Sequence, residues 1–420
     1  MNIDRIKQPK TIGITLENKK DITEDLDGLK EVYRSALFDD LVPWWETHSV
    51  DQIKGGFLTR LAKDGTPYSE DKDMWMTGRQ VWMFSHLYNR FEKREQWKEI
   101  AGHGLDFMLE HAFCDNGKVH FRLDGHGRPV SSVLSLYTEV FCAIALAEYA
   151  ALAKDDQLKD RAFRMYDFLL GRLGQPSDTP MLGYPLNRKF HLHSHDMCRI
   201  TVAKVFKDIW PLKRFEDDIT LSIESILKRH WKPDQGYLLE NVGMDGSSML
   251  DIPEGRLFHP GHAIESAWMI MEIGIERKEE YWINEAVAII LASMEHGWDK
   301  DFGGIRYLTN IDWTPTHELE ADLKLWWPHG EALYALLLGW LQTGRDDLKV
   351  WYQKVHHYTF THFPDREHGE WYGYLNRDGS PVWSMKANGW KGFFHIPRIL
   401  LRCHQLLELT IKSDAENDRF

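Results

Sequence analysis

Cysteine is scarce: four in 420 residues, at Cys114, Cys142, Cys198 and Cys403, with no C-x-x-C pair. A disulfide framework is therefore not expected, and free buried thiols in a reducing compartment are. Positive charge is also short. Lys+Arg number 51 against 64 Asp+Glu, for a net charge of −13, which argues against a nucleic-acid surface and its basic stripe. No apolar run is long enough to span a bilayer. The polar N-terminus lacks an apolar signal core, so the expected setting is cytoplasmic. There is no long Pro/Gly/Ser linker, and neither G-x-x-x-x-G-K-[ST] nor G-x-G-x-x-G occurs, so no standard nucleotide cradle is indicated. The expected organisation is a flexible arm over residues 1–25, one helical domain over 26–412 and a tail over 413–420.

What the chain has in abundance is aromatics, with 18 Trp, 15 Tyr and 20 Phe. Such rings form walls where sugars bind, but they also fill cores, and the core should take most of them. Apolar residues recur at helical spacing over 29–45, 76–91, 97–112, 133–153, 161–173, 197–210, 216–230, 263–277, 281–296, 328–344, 346–363 and 397–409. These stretches tend to alternate between more and less apolar. Between them recurs a glycine element: Gly55-Gly56-Phe57 with Asp64-Gly65, Asn116-Gly117 with Asp124-Gly125, Gly183-Tyr184, Gln235-Gly236-Tyr237 with Asp245-Gly246, Gly303-Gly304-Ile305, and Gly369-Glu370-Trp371 with Asp378-Gly379. Each reads as a short β-hairpin with a tight turn. Copies spaced about 50–70 residues apart make an internal repeat, the third copy degenerate. Repeated helical hairpins have a closed solution, an all-α (α/α)6 barrel with an apolar inner and a polar outer ring. An open solenoid is the competing arrangement.

Chemically capable residues recur at the starts of the apolar helices. His262 and Glu265 stand three residues apart after Pro260-Gly261 and share one helix face. Arg79 follows Thr77-Gly78, His195 precedes the helix from 197, Glu331 follows Trp327-Pro328-His329, and His395 precedes Ile396-Pro397. In a ring of parallel inner helices these starts meet at one end. The positive end of a helix disfavours an imidazolium, so His262 and His395 are expected neutral, and Glu265 and Glu331 ionised. Arg79 suits an oxyanion. Together they fit proton abstraction beside a carbonyl, with one His removing the proton, Arg79 stabilising the enolate, and the second His returning a proton to the opposite face.

Each residue also has a structural alternative. Arg79 could be an ion-pair partner and Glu331 a helix cap. Trp326, Trp327 and Trp390 divide between core and cavity wall, and Trp268 between packing and the substrate side. The run His191-Leu192-His193-Ser194-His195 would point its histidines one way on a strand, but no H-E-x-x-H or cysteine partner supports a metal site. Neither metal nor cofactor is expected.

The stretches Gly78-Arg79-Gln80-Val81-Trp82, Glu254-Gly255-Arg256, Pro260 to Glu265, Lys324-Leu325-Trp326-Trp327 with Glu331, Gly369 to Arg377, and Trp390 to Arg398 together resemble the N-acylglucosamine 2-epimerase family. That family includes renin-binding proteins and, more distantly, cellobiose 2-epimerases, mannose 2-epimerases and aldose–ketose isomerases. The resemblance implies the (α/α)6 barrel and metal-independent epimerisation at C2 of a reducing sugar through an enediolate. It implies His395 and His262 as acid/base groups, Arg79 on the carbonyl oxygen, Glu265 and Glu331 as orienting groups, and Trp327 and Trp390 against the sugar. His195 resembles a residue of the branch acting on unsubstituted aldoses, where it assists ring opening. The implied substrate is a monosaccharide, either D-glucose/D-mannose or N-acetylglucosamine/N-acetylmannosamine. A homodimer is the assembly the resemblance suggests, and no nucleic-acid or membrane partner is expected. Alternatives are an aldose–ketose isomerase on the same residues, a two-carboxylate glycoside hydrolase, and a non-enzymatic binding protein.

Overall fold

Uninterrupted apolar runs such as Val140-Phe141-Cys142-Ala143-Ile144-Ala145-Leu146 cannot present a polar face to water, and the helices that carry them are buried all round. The computed structural model describes residues 22–131, 136–173 and 188–417. Most of the expected arm and the Gly183-Tyr184 element lie outside the described residues. In chain order the first helices are α1 (Leu26–Ser35), α2 (Val42–His48), α3 (Met74–Arg90), α4 (Glu95–His111), α5 (Tyr137–Ala153), α6 (Asp156–Leu170), α7 (His193–Ile209) and α8 (Lys213–Ser225). They are followed by the short α9 (Pro253–Arg256), then α10 (Pro260–Arg277), α11 (Glu280–Gly297), α12 (Trp326–Thr343), α13 (Asp346–His362) and α14 (His395–Asn417), which runs past residue 412.

These form an (α/α)6 barrel. The inner ring is α3, α5, α7, α10, α12 and α14, and each of the first five packs against the outer helix that follows it. The outer partner of α14 is α1, so the first helix of the chain closes the ring against the last. A buried hydrogen bond of 2.6 Å between the Tyr33 and Tyr352 hydroxyls ties α1 to α13. Across the seam between α14 and α3, Phe393 and Phe394 pack on Phe84 and Trp82 with ring centroids 4.7 and 5.3 Å apart.

The inner helices α3, α7, α10, α12 and α14 start earlier than their apolar periodicity suggests, and a short extended segment leads into the first four of these. His193 and His195 lie inside α7, and His395 is the first residue of α14. Pro260, Pro328 and Pro397 sit within first turns, where the missing N–H costs no hydrogen bond. The segments ahead of the helices pair antiparallel with segments of the following repeat: Lys72–Asp73 with Arg122–Leu123, His191–Leu192 with Asn241–Val242, Leu257–Phe258 with Thr309–Asn310, and Lys324–Leu325 with Tyr374–Leu375. A bridge from Leu61 to Ala387 joins the last repeat to the first. The glycine element resolves into two turns, not one hairpin. The first is the bridge pair Val50 with Phe57 and its counterparts, and the second is the Asp-Gly turn, as at Leu61 with Pro67. In the second copy the left-handed residue is Gly127, not Gly125.

Buried ion pairs pin three of these loops to the helix starts. Asp51, Asp299 and Asp365 each accept backbone N–H groups from the residues two and three ahead. Each also meets the ammonium of a buried lysine: Lys72 at 2.7 Å, Lys324 at 2.9 Å and Lys386 at 2.9 Å. Five residues beyond the Asp the chain takes positive φ, at Gly56 (68°), Gly304 (75°) and Glu370 (57°). A Cβ at Gly304 would lie 2.5 Å from the Tyr358 ring, so only glycine fits there. Removing one partner of a buried pair leaves the other uncompensated. Lys72→Met should therefore lower the unfolding free energy by about 3–5 kcal/mol in urea titration. Lys213→Met, at the exposed Lys213–Asp217 pair, should change it by less than about 1 kcal/mol.

Candidate active site

At the N-terminal end of the inner ring, the first turns of α10, α12 and α14 converge on one guanidinium. Arg398 of α14 donates to Glu265 of α10 at 2.6 Å and to Glu331 of α12 at 2.5 Å. All three are buried. Glu331 is also the acceptor for His395 Nδ1–H at 2.7 Å, and its other oxygen accepts the Trp268 indole N–H at 2.8 Å. Because Nδ1 carries that proton, Nε2 of His395 is left as the free, basic nitrogen.

On the other side, His262 Nδ1 lies 3.1 Å from Glu240 Oε2. Glu240 also lies 3.5 Å from His193 Nδ1, and His193 Nε2 lies 2.7 Å from the Ser266 hydroxyl. His259 stacks on His262 with centroids 4.0 Å apart. The Trp327 ring spans the two halves, its centroid 5.4 Å from His262 and 5.3 Å from His395.

Electrostatics separate the two histidines. Burial, with Arg79 and Arg398 nearby, pushes His395 well below the ordinary value. Burial opposes the charged form of His262 too, but the charge of Glu240 and its hydrogen bond outweigh it and raise His262 above 6.5. At His262 a carboxylate in hydrogen-bond contact thus works against the helix end, which is expected to favour the neutral form. Burial, opposed by the two histidines, leaves Glu240 well below the usual carboxylate range. Burial raises Glu331 from the ordinary carboxylate value against the pull of Arg398 and Trp268.

Arg79 stands one turn inside α3, and its side chain makes no hydrogen bond or ion pair with another described residue. It is held by ring faces instead, with Phe141 at 4.1 Å, Trp75 at 4.7 Å and Phe394 at 4.9 Å from its guanidinium carbon. Burial, with Glu265 as the main counterweight, brings it down to about 9. Trp390, 40 % exposed, stands edge-on to Trp75 and so caps the Arg79 cage from solvent. Trp268 is buried, donates its indole N–H to Glu331 and stacks with Arg398 and Arg402. Burial, then His191 and Arg199, push His195 down to about 4.

The three histidines of 191–195 do not align as on a strand, because the helix begins at His193. His191 bonds to His230 at 2.9 Å, His193 joins Glu240, and His195 stands apart from both. Three His/carboxylate trios around the mouth have ligand atoms within 4.8 Å of one another: His191/Asp196/His230, His193/Glu240/His262 and Glu265/Glu331/His395. Hydrogen bonds join His191 to His230, Glu240 to His193 and His262, and Glu331 to His395, while Glu265 is held by Arg398 and Asp196 lies 3.8 Å from His191. Sequence reasoning missed Glu240 and the roles of His193 and Arg398. Arg398 had a signal, standing three residues after His395 on one helix face. Glu240 lies on a loop and had none.

Residues 55–398 match the family model for N-acylglucosamine 2-epimerase. The chain is 32 % identical over 413 residues to the N-acylglucosamine 2-epimerase of Homo sapiens, covering 93 % of both chains. It is 24 % identical to the cellobiose 2-epimerase of Bacteroides fragilis, over 90 % of this chain and 98 % of that one. Among solved structures it is similar to a cellobiose 2-epimerase from Bacillus thermoamylovorans, with a TM-score of 0.77 and 19 % identity over 90 % of this chain and 99 % of that one. It is similar also to a D-mannose isomerase, with a TM-score of 0.72 and 17 % identity over 93 % and 98 %. At these identities the structures speak for the fold.

A buried cation without a carboxylate in contact is costly to keep. Arg79→Met should unfold in urea at the parent's midpoint or above it. Had Arg79 been a structural ion-pair partner, the same change would cost about 3–5 kcal/mol.

Proposed function

The chain belongs to the N-acylglucosamine 2-epimerase family and is a sugar 2-epimerase, and on that premise we propose that it interconverts a gluco/manno pair by two-histidine proton transfer at C2. The observation that carries this reading is the opposite displacement of two buried histidines bordering one tryptophan. Groups whose environments drive their pKa values apart are suited to act as base and acid. Neutral His395 takes the C2 proton of the open-chain sugar at Nε2. The C2–H electron pair moves into the C1–C2 bond, and the carbonyl pair moves onto oxygen as an enediolate. Arg79, whose guanidinium has no carboxylate among the described residues in contact, stabilises that oxygen. His262, charged against Glu240, donates its Nε2 proton to the opposite face of C2, and the carbonyl re-forms.

Glu331 holds His395 in the required tautomer, Arg398 keeps Glu265 and Glu331 in place, and Trp327 and Trp390 offer ring faces to the sugar. His195, held neutral by burial, is suited to assist ring opening. Two histidines and an arginine supply both proton transfers and the oxyanion partner, so the reaction proposed needs no metal. The two-carboxylate hydrolase is disfavoured, since Glu265 and Glu331 share one guanidinium and neither offers a free acid.

The test is proton NMR in D2O with EDTA-dialysed protein, using D-mannose in one sample and N-acetylmannosamine in another. The expected outcome is a C2 epimer carrying deuterium at C2 in at least one sample. A ketose product would make the site an isomerase, and loss of turnover restored by a divalent cation would overturn the metal-free mechanism. His262→Ala, His395→Ala and Arg79→Met should each lower kcat/KM by at least about 100-fold with the fold retained by circular dichroism.

The pH profile follows from the two shifts. His395 must be neutral to act and its pKa is depressed, so the acid limb of kcat/KM should fall well below pH 6.5. His262 must be charged and its pKa is raised, so the alkaline limb should lie above pH 6.5. The expected profile is a plateau across that value. A narrow bell centred on 6.5 would sink the assignment.

A further inference from the structure

We infer that Glu240 is a positioning residue that makes His262, and not His395, the group that hands a proton to C2. The inference deepens the two-histidine reading and rests on it. Three contacts carry it. Glu240 Oε2 lies 3.1 Å from His262 Nδ1 and 3.5 Å from His193 Nδ1, with all three side chains buried. Glu240, which can only accept, calls for the His193 proton on Nδ1, and the Ser266 hydroxyl, 2.7 Å from His193 Nε2, can donate to the nitrogen left bare. One carboxylate thus accepts two N–H groups, from α7 and α10, and His262 is left with Nε2–H as its free end. A neutral residue at 240 could still accept the hydrogen bond but could not supply the charge that keeps both His262 nitrogens protonated.

The surroundings of His262 leave Glu240 as the deciding charge. His193 faces it from α7 at a centroid distance of 6.3 Å, and His259 stacks on it from the start of α10. Glu265 lies one turn along its own helix, Trp327 covers it from α12, and His395 approaches from α14. Of these, only Glu240 and Glu265 are acidic, and Glu265 is engaged by Arg398. His395 has the reverse setting. Its carboxylate partner Glu331 is shared with Arg398, and Arg79 lies on its other side. Two histidines at equivalent helix starts therefore take opposite parts because a loop residue faces one of them.

The test is Glu240→Gln in the full chain, read in two ways. The first is NMR titration of the histidine ring protons, with His262 assigned by the signal lost in His262→Gln. In the parent, His262 should titrate above pH 6.5, and in Glu240→Gln its midpoint should fall by at least one pH unit while His395 stays put. Glu240→Asp, which keeps the charge one methylene further back, should restore part of the shift. The second is the pH profile of kcat/KM. Its alkaline limb should move to lower pH by the same interval while its acid limb is unchanged, with activity approaching the parent's at the acid end of the plateau.

An unmoved His262 midpoint in Glu240→Gln would overturn the inference, as would a uniform loss of activity at every pH. A moved midpoint in a protein that turns over neither sugar would uphold the role of Glu240 and reject the epimerisation at that site. Should Glu240→Gln fail to fold, the parent and Glu240→Asp titrations decide alone, and equal midpoints in those two would count against the inference.

Discussion

The site depends on how one buried guanidinium is neutralised. Arg398 has two carboxylates, and each comes from a different inner helix. A cation taken out of water must be paired, and the two bonds lock the first turns of α10, α12 and α14 into one register. Glu331 then has a defined position from which to hold His395 and Trp268. Because Glu265 is committed to Arg398, no carboxylate among the described residues contacts Arg79, which sits instead among aromatic faces. The result is a cationic group with open hydrogen-bond capacity in a dry setting, where a developing oxyanion is worth most.

A second constraint works on the histidines. His262 and His395 occupy similar places at the starts of α10 and α14, the two inner-ring helices that flank α12, and the helix field acts on both in the same sense. That field is a fraction of a charge spread over a turn. A carboxylate in hydrogen-bond contact, or two guanidinium groups nearby, are whole charges in a low-dielectric setting and decide the outcome. The asymmetry a two-base reaction needs is thus produced by neighbours drawn from other elements, and the helix end that each histidine opens plays a lesser part.

The barrel serves this by bringing helix starts to one rim and then holding them there. The buried Lys72–Asp51, Lys324–Asp299 and Lys386–Asp365 pairs fasten loops to the segments that lead toward α3, α12 and α14. The short antiparallel pairings link successive repeats around the rim. Closure of α1 on α14 removes the free ends that an open solenoid would expose.

Much of this was legible in the chain. Helical periodicity marked every long helix, because burial of one face or all faces is written into the order of apolar residues. The turn glycines marked the repeat, because positive φ is open to few other side chains. Arg79, His262, Glu265, Glu331 and His395 could be singled out because they recur at helix starts, and the family resemblance gave them roles. What the tertiary structure alone decided is which charge faces which. Arg398 meets Glu265 across 133 residues of sequence, and Glu240 reaches His262 from a loop 22 residues away. Local pattern records a residue's own element and not the neighbour packed against it. Protonation responds to that neighbour, so which charge faces each histidine could be read only from the folded chain.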